Sequence, residues 1–324
     1  IKNAFANLRD EEELKPLQDA ARCRSESDWL IGINGTRAVT IKRSRGRSRQ
    51  VSTVGRVQTP TLSLVIEREK EIRNFVARTF FRVTANFELA QGNYEGLYQR
   101  PDFKKNEDDK HDRIERMWDK AEAERIFEQI KQSAEAGVTE IKKRSPQSPG
   151  RLYDLTTLQR EANRLHHFPA SRTLQLAQSL YERHKAITYP RTDSKALPED
   201  YGPICTETLR NVPGELARHA QFVLQSDWVD EKNKRIFNNS QISDHFAIIP
   251  TSTPPSGLDA NESKIYNLIL KRFISVFYPP AQWDVTTRTS ELGEHRFKTE
   301  GRVLVEASWL AIYGKDNQPA DTLP

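Results

Sequence analysis

Apolar positions along this chain change period several times, and each change marks an element. Ala4, Phe5 and Leu8, then Leu14 and Leu17, recur at helical spacing, and Asp28-Trp29-Leu30-Ile31-Gly32 opens a second helical stretch running toward Thr40. Residues 1–75 therefore read as mostly helical. A further helix begins near Pro60, which suits a first turn, with Thr59 as the predicted N-cap. From 79 to 99 the period falls to two. Phe81, Val83, Ala85, Phe87 and Leu89 alternate with Arg82, Thr84, Asn86 and Glu88, and Gly92-Asn93 turns into a second strand at Tyr94–Tyr98. Helical spacing returns over 113–136 through Ile114, Met117, Trp118, Ala121, Ile126 and Ile130. Ser145-Pro146-Gln147-Ser148-Pro149-Gly150 then punctuates the chain as a linker.

After the linker, Leu155, Leu158, Ala162 and Leu165 mark a helix with Asp154 as N-cap. His166-His167-Phe168-Pro169 breaks it, and Leu174, Ala177, Leu180 and Tyr181 mark the next, a pairing compatible with a helix-turn-helix-like unit. Residues 195–255 read as helices with loops. Ile265, Leu268, Ile269, Phe273 and Phe277 form an amphipathic helix closed by Pro279-Pro280, and 282–313 is again strand-like. Strand material flanks a helical region on both sides, so the economical fold is α+β and multidomain: an antiparallel β domain, discontinuous in sequence, carrying an inserted helical domain. The expected boundaries are 1–75, 76–147, 148–258 and 259–324.

Composition narrows the class. The 324 residues are 36% apolar and 29% charged, with no apolar run long enough to span a membrane. Cys23 and Cys205 offer neither a disulfide framework nor zinc spacing, which fits a reducing, cytoplasmic setting. The net charge of +5 is unevenly spread. Arg37, Lys42, Arg43, Arg45, Arg47, Arg49 and Arg56 fall in one stretch without an acid, the footprint of a polyanion partner or, more plainly, of a solvated basic loop. Gly55, Arg56, Gln58, Thr59 and Thr61 surround a helix N-terminus, where a phosphate is readily held. Glu107, Asp108, Asp109 and Asp112 lie among lysines without regular ligand spacing, and no metal site is expected there. The chain opens on Ile1 and its single methionine is Met117, so a piece of a longer protein is expected.

The candidate chemistry centres on Ile187-Thr188-Tyr189-Pro190-Arg191-Thr192-Asp193-Ser194, preceded by Lys185. Pro190 disfavours helical geometry at Tyr189, and in an extended chain Tyr189 and Arg191 point to one side. A phenol of ordinary pKa about 10 is a weak nucleophile unless cations favour the phenolate. A planar guanidinium can also grip phosphate in two places. Taken alone, such a tyrosine is more often structural, the arginine more often the ion-pair partner of an acid such as Asp193, and a histidine such as His245 more often a satisfied structural residue.

Four ordered segments change that balance. Gly55-Arg56-Val57-Gln58-Thr59-Pro60, Leu152-Tyr153-Asp154-Leu155-Thr156-Thr157-Leu158-Gln159, the tyrosine segment, and His245-Phe246-Ala247-Ile248-Ile249-Pro250-Thr251 together resemble the type IA DNA topoisomerases. Proline after the tyrosine resembles the topoisomerase III branch. The resemblance implies Tyr189 as nucleophile, forming a 5′-phosphotyrosine link, with His245 as a phosphate or ribose contact. Arg191 is the first choice to grip the phosphate, and Thr192, Asp193 and Ser194 read as supporting or turn-forming groups that hold the arginine. It implies single-strand contacts from Arg56, Gln58, Thr59, Thr61, the basic cluster and Lys185. It also implies part of a toroid, in which 1–75 begins the DNA-holding helical domain, the strands form an arch and 148–258 carries the tyrosine. Magnesium is expected on an N-terminal Toprim domain whose DxDxE signature does not occur in 1–324, and no ATP is expected, since the phosphotyrosine ester conserves the bond energy. The expected partner is single-stranded or negatively supercoiled DNA, met by a monomer at the nucleoid, with a helicase as a possible associate. The alternative is a binding module that holds single strands without cutting them. A relaxase would need a His-x-His cluster and a tyrosine recombinase a His-x-x-Arg element, and neither is found.

Overall fold

In a computed structural model these patterns resolve into two compact units, Ile1–Thr79 and Phe80–Pro324. The structure describes residues 5, 6, 8, 10–44, 50–131, 133, 135–315 and 322–324.

The first unit is built on two helices, α1 (Glu11–Arg43) and α2 (Gln58–Arg73). The predicted break near Asp28 is absent, and α1 runs through it with Pro16 inside its first turns. Three glutamates open α1 and Lys42-Arg43 close it, both favourable to the helix dipole. An extended segment then returns along the helix. Ser52 N–H donates to Thr40 Oγ1 and Val54 N–H to Thr36 Oγ1, each at 3.0 Å. Alternate residues of this segment thus meet helix positions four apart. Gly35 makes room for it: a Cβ there would lie 2.9 Å from Val54 Cγ1. Helix α2 begins at Gln58, before the predicted cap at Thr59. The chain is already turning at Val57, so Gly55 O accepts from Thr59 N–H at 3.1 Å and no side chain caps the end. Neither helix buries a residue within its own unit.

The second unit combines a sheet and a helical core. Strands β1 (Thr84–Leu89), β2 (Gly92–Gln99), β3 (Gly137–Gln147), β4 (Ala281–Leu292) and β5 (His295–Glu306) form an antiparallel sheet of order β1-β2-β5-β4-β3. The two ends of this unit thus share one sheet, as the discontinuous β domain requires. Strand β3 was not foreseen. All eleven of its residues are exposed on an edge, so no alternation betrays it, and Pro146 is tolerated there. Its last residues occupy the start of the expected linker.

Helix α3 (Lys120–Ile130) is shorter than its predicted span because Asp119 caps it, accepting from Ala121 N–H at 2.9 Å. Ala123, Ile126 and Ile130 press against Val83, Tyr98 and Phe297 of the sheet region. The helical core holds α4 (Leu155–His166), α5 (Ala170–Glu182), α6 (Gly202–Arg210), α7 (Ala217–Gln225) and α8 (Ala260–Ser275). His167, in the left-handed region at φ 57°, ends α4, and Phe168-Pro169 leads into α5. Phe237, Phe273, Leu158, Leu180 and Ile269 are fully buried in this core, each contributing about 1.5–3 kcal/mol. Residues 308–313, expected as strand, form a 3-10 turn. Cys205 is buried, which pushes its thiol up to about 12, while Cys23 is exposed. Among the described residues no helix is long and apolar enough to cross a membrane.

Candidate active site

Three of the four motif segments meet in the helical core. Helix α5 ends in a tight turn: Arg183 N–H bonds Ser179 O, Ala186 N–H bonds Leu180 O, and Lys185 adopts φ 52°. A left-handed lysine carries a cost that glycine would avoid, but it swings the chain from helix to extended form within one residue. The extended run is then fastened on one side to 245–251. Thr188 N–H donates to Ile249 O, Thr188 Oγ1 donates to Ala247 O at 2.9 Å, and Ile249 N–H returns to Thr188 Oγ1 at 3.0 Å. Thr251 N–H donates to Ala186 O, and Thr251 Oγ1 to Lys185 O at 2.8 Å. The segment at 152–155 completes the arrangement, with Leu155 N–H on Thr192 O and Ile248 N–H on Tyr153 O.

This framework sets Tyr189 beside His245, ring centroids 4.4 Å apart, and against Tyr181 of α5 at 5.4 Å. With the Gln178 amide turned to present its oxygen, that oxygen accepts from Arg191 Nε at 3.3 Å and Nη2 at 3.0 Å. Tyr189 and Arg191 therefore both face α5, at side chains one turn apart, as the extended geometry requires. Tyr189 is half-buried, whereas Arg191 and His245 are exposed and open to a ligand. Lys185 is exposed too, its Nζ 5.8 Å from the Tyr181 ring centroid.

The three residues expected to support the arginine bond other partners, and Ser194 N–H on Thr192 Oγ1 at 3.1 Å makes the turn expected of them. Thr192 Oγ1 donates to His245 O at 2.9 Å, and Ser194 Oγ donates to Gln241 O at 2.8 Å. Both are buried, and they fix the histidine's segment rather than the guanidinium. Asp193 instead accepts from Ser243 Oγ at 3.3 Å. Gln178 is the residue that sequence reasoning missed. Its signal was helical spacing: positions 178 and 181 share a face of the helix that leads into the motif.

Tyr153, whose carbonyl bonds Ile248, also belongs to a part-buried polar network. Tyr153 Oη and Arg272 Nη2 both donate to Glu161 Oε2 at 2.6 Å, Arg272 Nη1 donates to Arg151 O, and the guanidinium lies 4.4 Å from the Tyr153 ring centroid. Burial holds the Tyr153 phenol well above its ordinary value, so this tyrosine stays a neutral donor. Glu262 joins α8 to α5, accepting from Ser179 Oγ at 2.6 Å and lying 3.2 Å from His184 Nε2. The Ser179 bond, then the Asp259 N–H, holds its carboxyl below the usual range.

The fourth motif belongs to the first unit. There Arg56 donates to Asp28 through Nε at 2.5 Å and Nη2 at 3.1 Å, while Thr61 Oγ1 donates to Val57 O. Gln58 and Thr59 are exposed at the start of α2, and Arg37, Lys42 and Arg43 are exposed on α1. Arg45, Arg47 and Arg49 lie outside the described residues. Among the described residues no group of three or more His, Cys, Asp or Glu side chains could hold a metal ion.

A family model described as DNA topoisomerase matches residues 12–324. The DNA topoisomerase 3 of Shouchella clausii (strain KSM-K16) is 36% identical over 313 residues, covering 95% of this chain and 40% of that protein. That of Bacillus subtilis (strain 168) is 35% identical over 317 residues, covering 97% of this chain and 41% of that protein. The chain thus spans about 40% of the length of these relatives. The solved full-length topoisomerase I of Thermotoga maritima shares the fold, with a TM-score of 0.61 at 22% identity over 91% of this chain and 45% of that one. With nearly its whole length matched and three of its four motifs gathered around one tyrosine, this chain belongs to the type IA DNA topoisomerase family.

Proposed function

We propose that this chain carries the nucleophile of a type IA topoisomerase reaction on single-stranded DNA. Tyr189 Oη attacks a backbone phosphorus, the bond from phosphorus to the 3′ oxygen breaks, and the 3′ oxygen leaves as a hydroxyl after taking a proton. The 5′ phosphate stays on the tyrosine. Attack by that hydroxyl reverses the step, so no nucleotide is consumed, and a strand passed in between changes the DNA's topology, relaxing negative supercoils or separating linked circles. Arg191 offers its fork to the phosphate oxygens as charge develops on them, and His245 sits where it meets the same phosphate or the neighbouring sugar.

The observation that carries this reading is the clustering of Tyr189, His245 and Arg191 at one surface, held by backbone bonds among three motif segments. In this reading residues 1–75 belong to the DNA-holding helical domain, 76–147 and 259–324 to the arch, and 148–258 to the tyrosine domain. Magnesium is a separate matter. The described residues do not fit a magnesium site, and no step above runs through one; the metal is assigned to a Toprim domain outside residues 1–324. The decisive experiment joins this chain to such a domain and supplies magnesium. Negatively supercoiled DNA then relaxes, and Tyr189→Phe abolishes relaxation while single-strand binding persists. A Tyr189→Phe protein that still relaxes DNA removes the nucleophile from this account.

A further inference from the structure

Away from Tyr189, the start of the second unit carries an arrangement that the motifs do not touch. Phe81 and Met117 form an antiparallel bridge, with N–H to O distances of 2.8 and 3.0 Å. Extended geometry sends neighbours to opposite sides, so Phe81, Val83 and Met117 turn inward, where Met117 is fully buried. Phe80, Arg82, Arg116 and Trp118 come together on the outer side. The Phe80 and Trp118 rings meet edge to face with centroids 6.2 Å apart. Arg116 Cζ lies 4.3 Å from the Phe80 centroid and Arg82 Cζ 5.8 Å from it. Arg116 Nη1 donates to His111 O at 3.1 Å, which fixes its plane over the ring. Arg82 also borders a shallow groove of about 340 Å³ lined by Phe81, Thr84, Lys120 and Phe127. Two acids beside this surface are engaged: Asp119 caps α3, and Glu124 pairs with Lys120 at 2.9 Å.

We propose that this tile of two rings and two guanidinium groups is a second contact point for single-stranded DNA, in the β domain. Every base has a π face that can stack on an aromatic ring, and alternating cations match the phosphates between bases. The guanidinium fork gives each phosphate two donors where a lysine gives a point charge. The idea rests on the DNA reading above, and its test separates the two.

The experiment uses the whole chain with a radiolabelled oligonucleotide of thymidines containing 5-iododeoxyuridine, crosslinked by light and mapped by peptide mass spectrometry. Crosslinks are expected both on peptides holding Phe80 or Trp118 and on peptides holding Tyr189. Arg82→Gln with Arg116→Gln removes the first set and keeps the second. It also lowers the salt slope of binding by about 1.4, at about 0.7 per phosphate contact on a single strand. Crosslinks confined to the Tyr189 peptides overturn the tile and leave the proposed function standing. Crosslinks confined to the tile peptides support the tile and count against a DNA groove at Tyr189. A chain that takes no crosslink anywhere overturns both. Phe80→Leu, which keeps an apolar side chain at this half-exposed position, serves as the second variant: loss of the tile crosslinks with an unchanged circular dichroism spectrum supports the stacking role, and their persistence contradicts it.

Discussion

The two regions that the sequence associates with DNA are held together by different forces. Around Tyr189 the chain is pinned by backbone bonds over a deep apolar core, linked through Ile248 to a part-buried Tyr153–Glu161–Arg272 network. In the first unit nothing in α1 or α2 is buried, Leu64 is 67% exposed and Val65 61%. What fastens its returning segment is a pair of threonines and one surface ion pair. The contrast suits the tasks proposed for each. A nucleophile must be held to a fraction of an ångström, whereas a surface that attracts a polyanion needs charge more than rigidity.

If that contrast is right, substitutions should sort by region. Arg272→Ala takes from the part-buried Glu161 its nearer cation, leaving Arg164 Nη2 at 3.6 Å, and should cost about 1.5–3 kcal/mol in denaturant unfolding. Thr188→Val removes the hydroxyl that bonds Ala247 O and Ile249 N–H. It should cost about 1–3 kcal/mol by the same measurement and displace Tyr189 from His245, read as a changed tyrosine ring shift by nuclear magnetic resonance.

The pH dependence follows Glu262. Its carboxyl is held below the value it has in the unfolded chain, so its contribution is fully present above the ordinary carboxylate range. That contribution is lost as pH falls through the lowered folded value. Glu262→Gln should therefore flatten the acid limb of the stability profile and leave its shape at neutral pH unchanged.

In the first unit, Thr36→Val with Thr40→Val removes bonds worth about 0.5–1.5 kcal/mol each. Faster hydrogen exchange at the Ser52 and Val54 amides is expected, with the unfolding of the Tyr189 core unmoved. A shift in that core would break the comparison. The smallest stability effect is expected from Asp28→Asn, which releases Arg56. Its readout is binding: tighter single-strand affinity with a steeper salt slope, if Arg56 meets a phosphate.

Legibility in the sequence followed the same divide. Where one face is buried, period reveals structure: β1 and β2, α4, α5 and α8 all announced themselves. Where both faces are wet, as along β3, there is no period to read. Helix α1 runs through the break expected near Asp28, and Gly35 within it serves the close approach of the segment at Val54. At the site, Tyr189, Arg191 and His245 were legible because local motifs carried them. Gln178 was not, since only the folding of α5 over the extended run brings it to Arg191. Arg56 was legible as a cation, but its partner Asp28 lies 28 positions away, beyond local pattern.

The bond that Tyr189 forms is the most direct point of test. Single-stranded DNA labelled at both ends, incubated with magnesium and the chain joined to a Toprim domain, should leave one fragment attached to protein after denaturation. The prediction is a 5′-phosphate linkage on the peptide containing Tyr189, with a free 3′ hydroxyl on the other fragment and no linkage from the chain alone. A linkage through the 3′ phosphate, attachment to a different residue, or efficient cleavage by residues 1–324 without the added domain would contradict it.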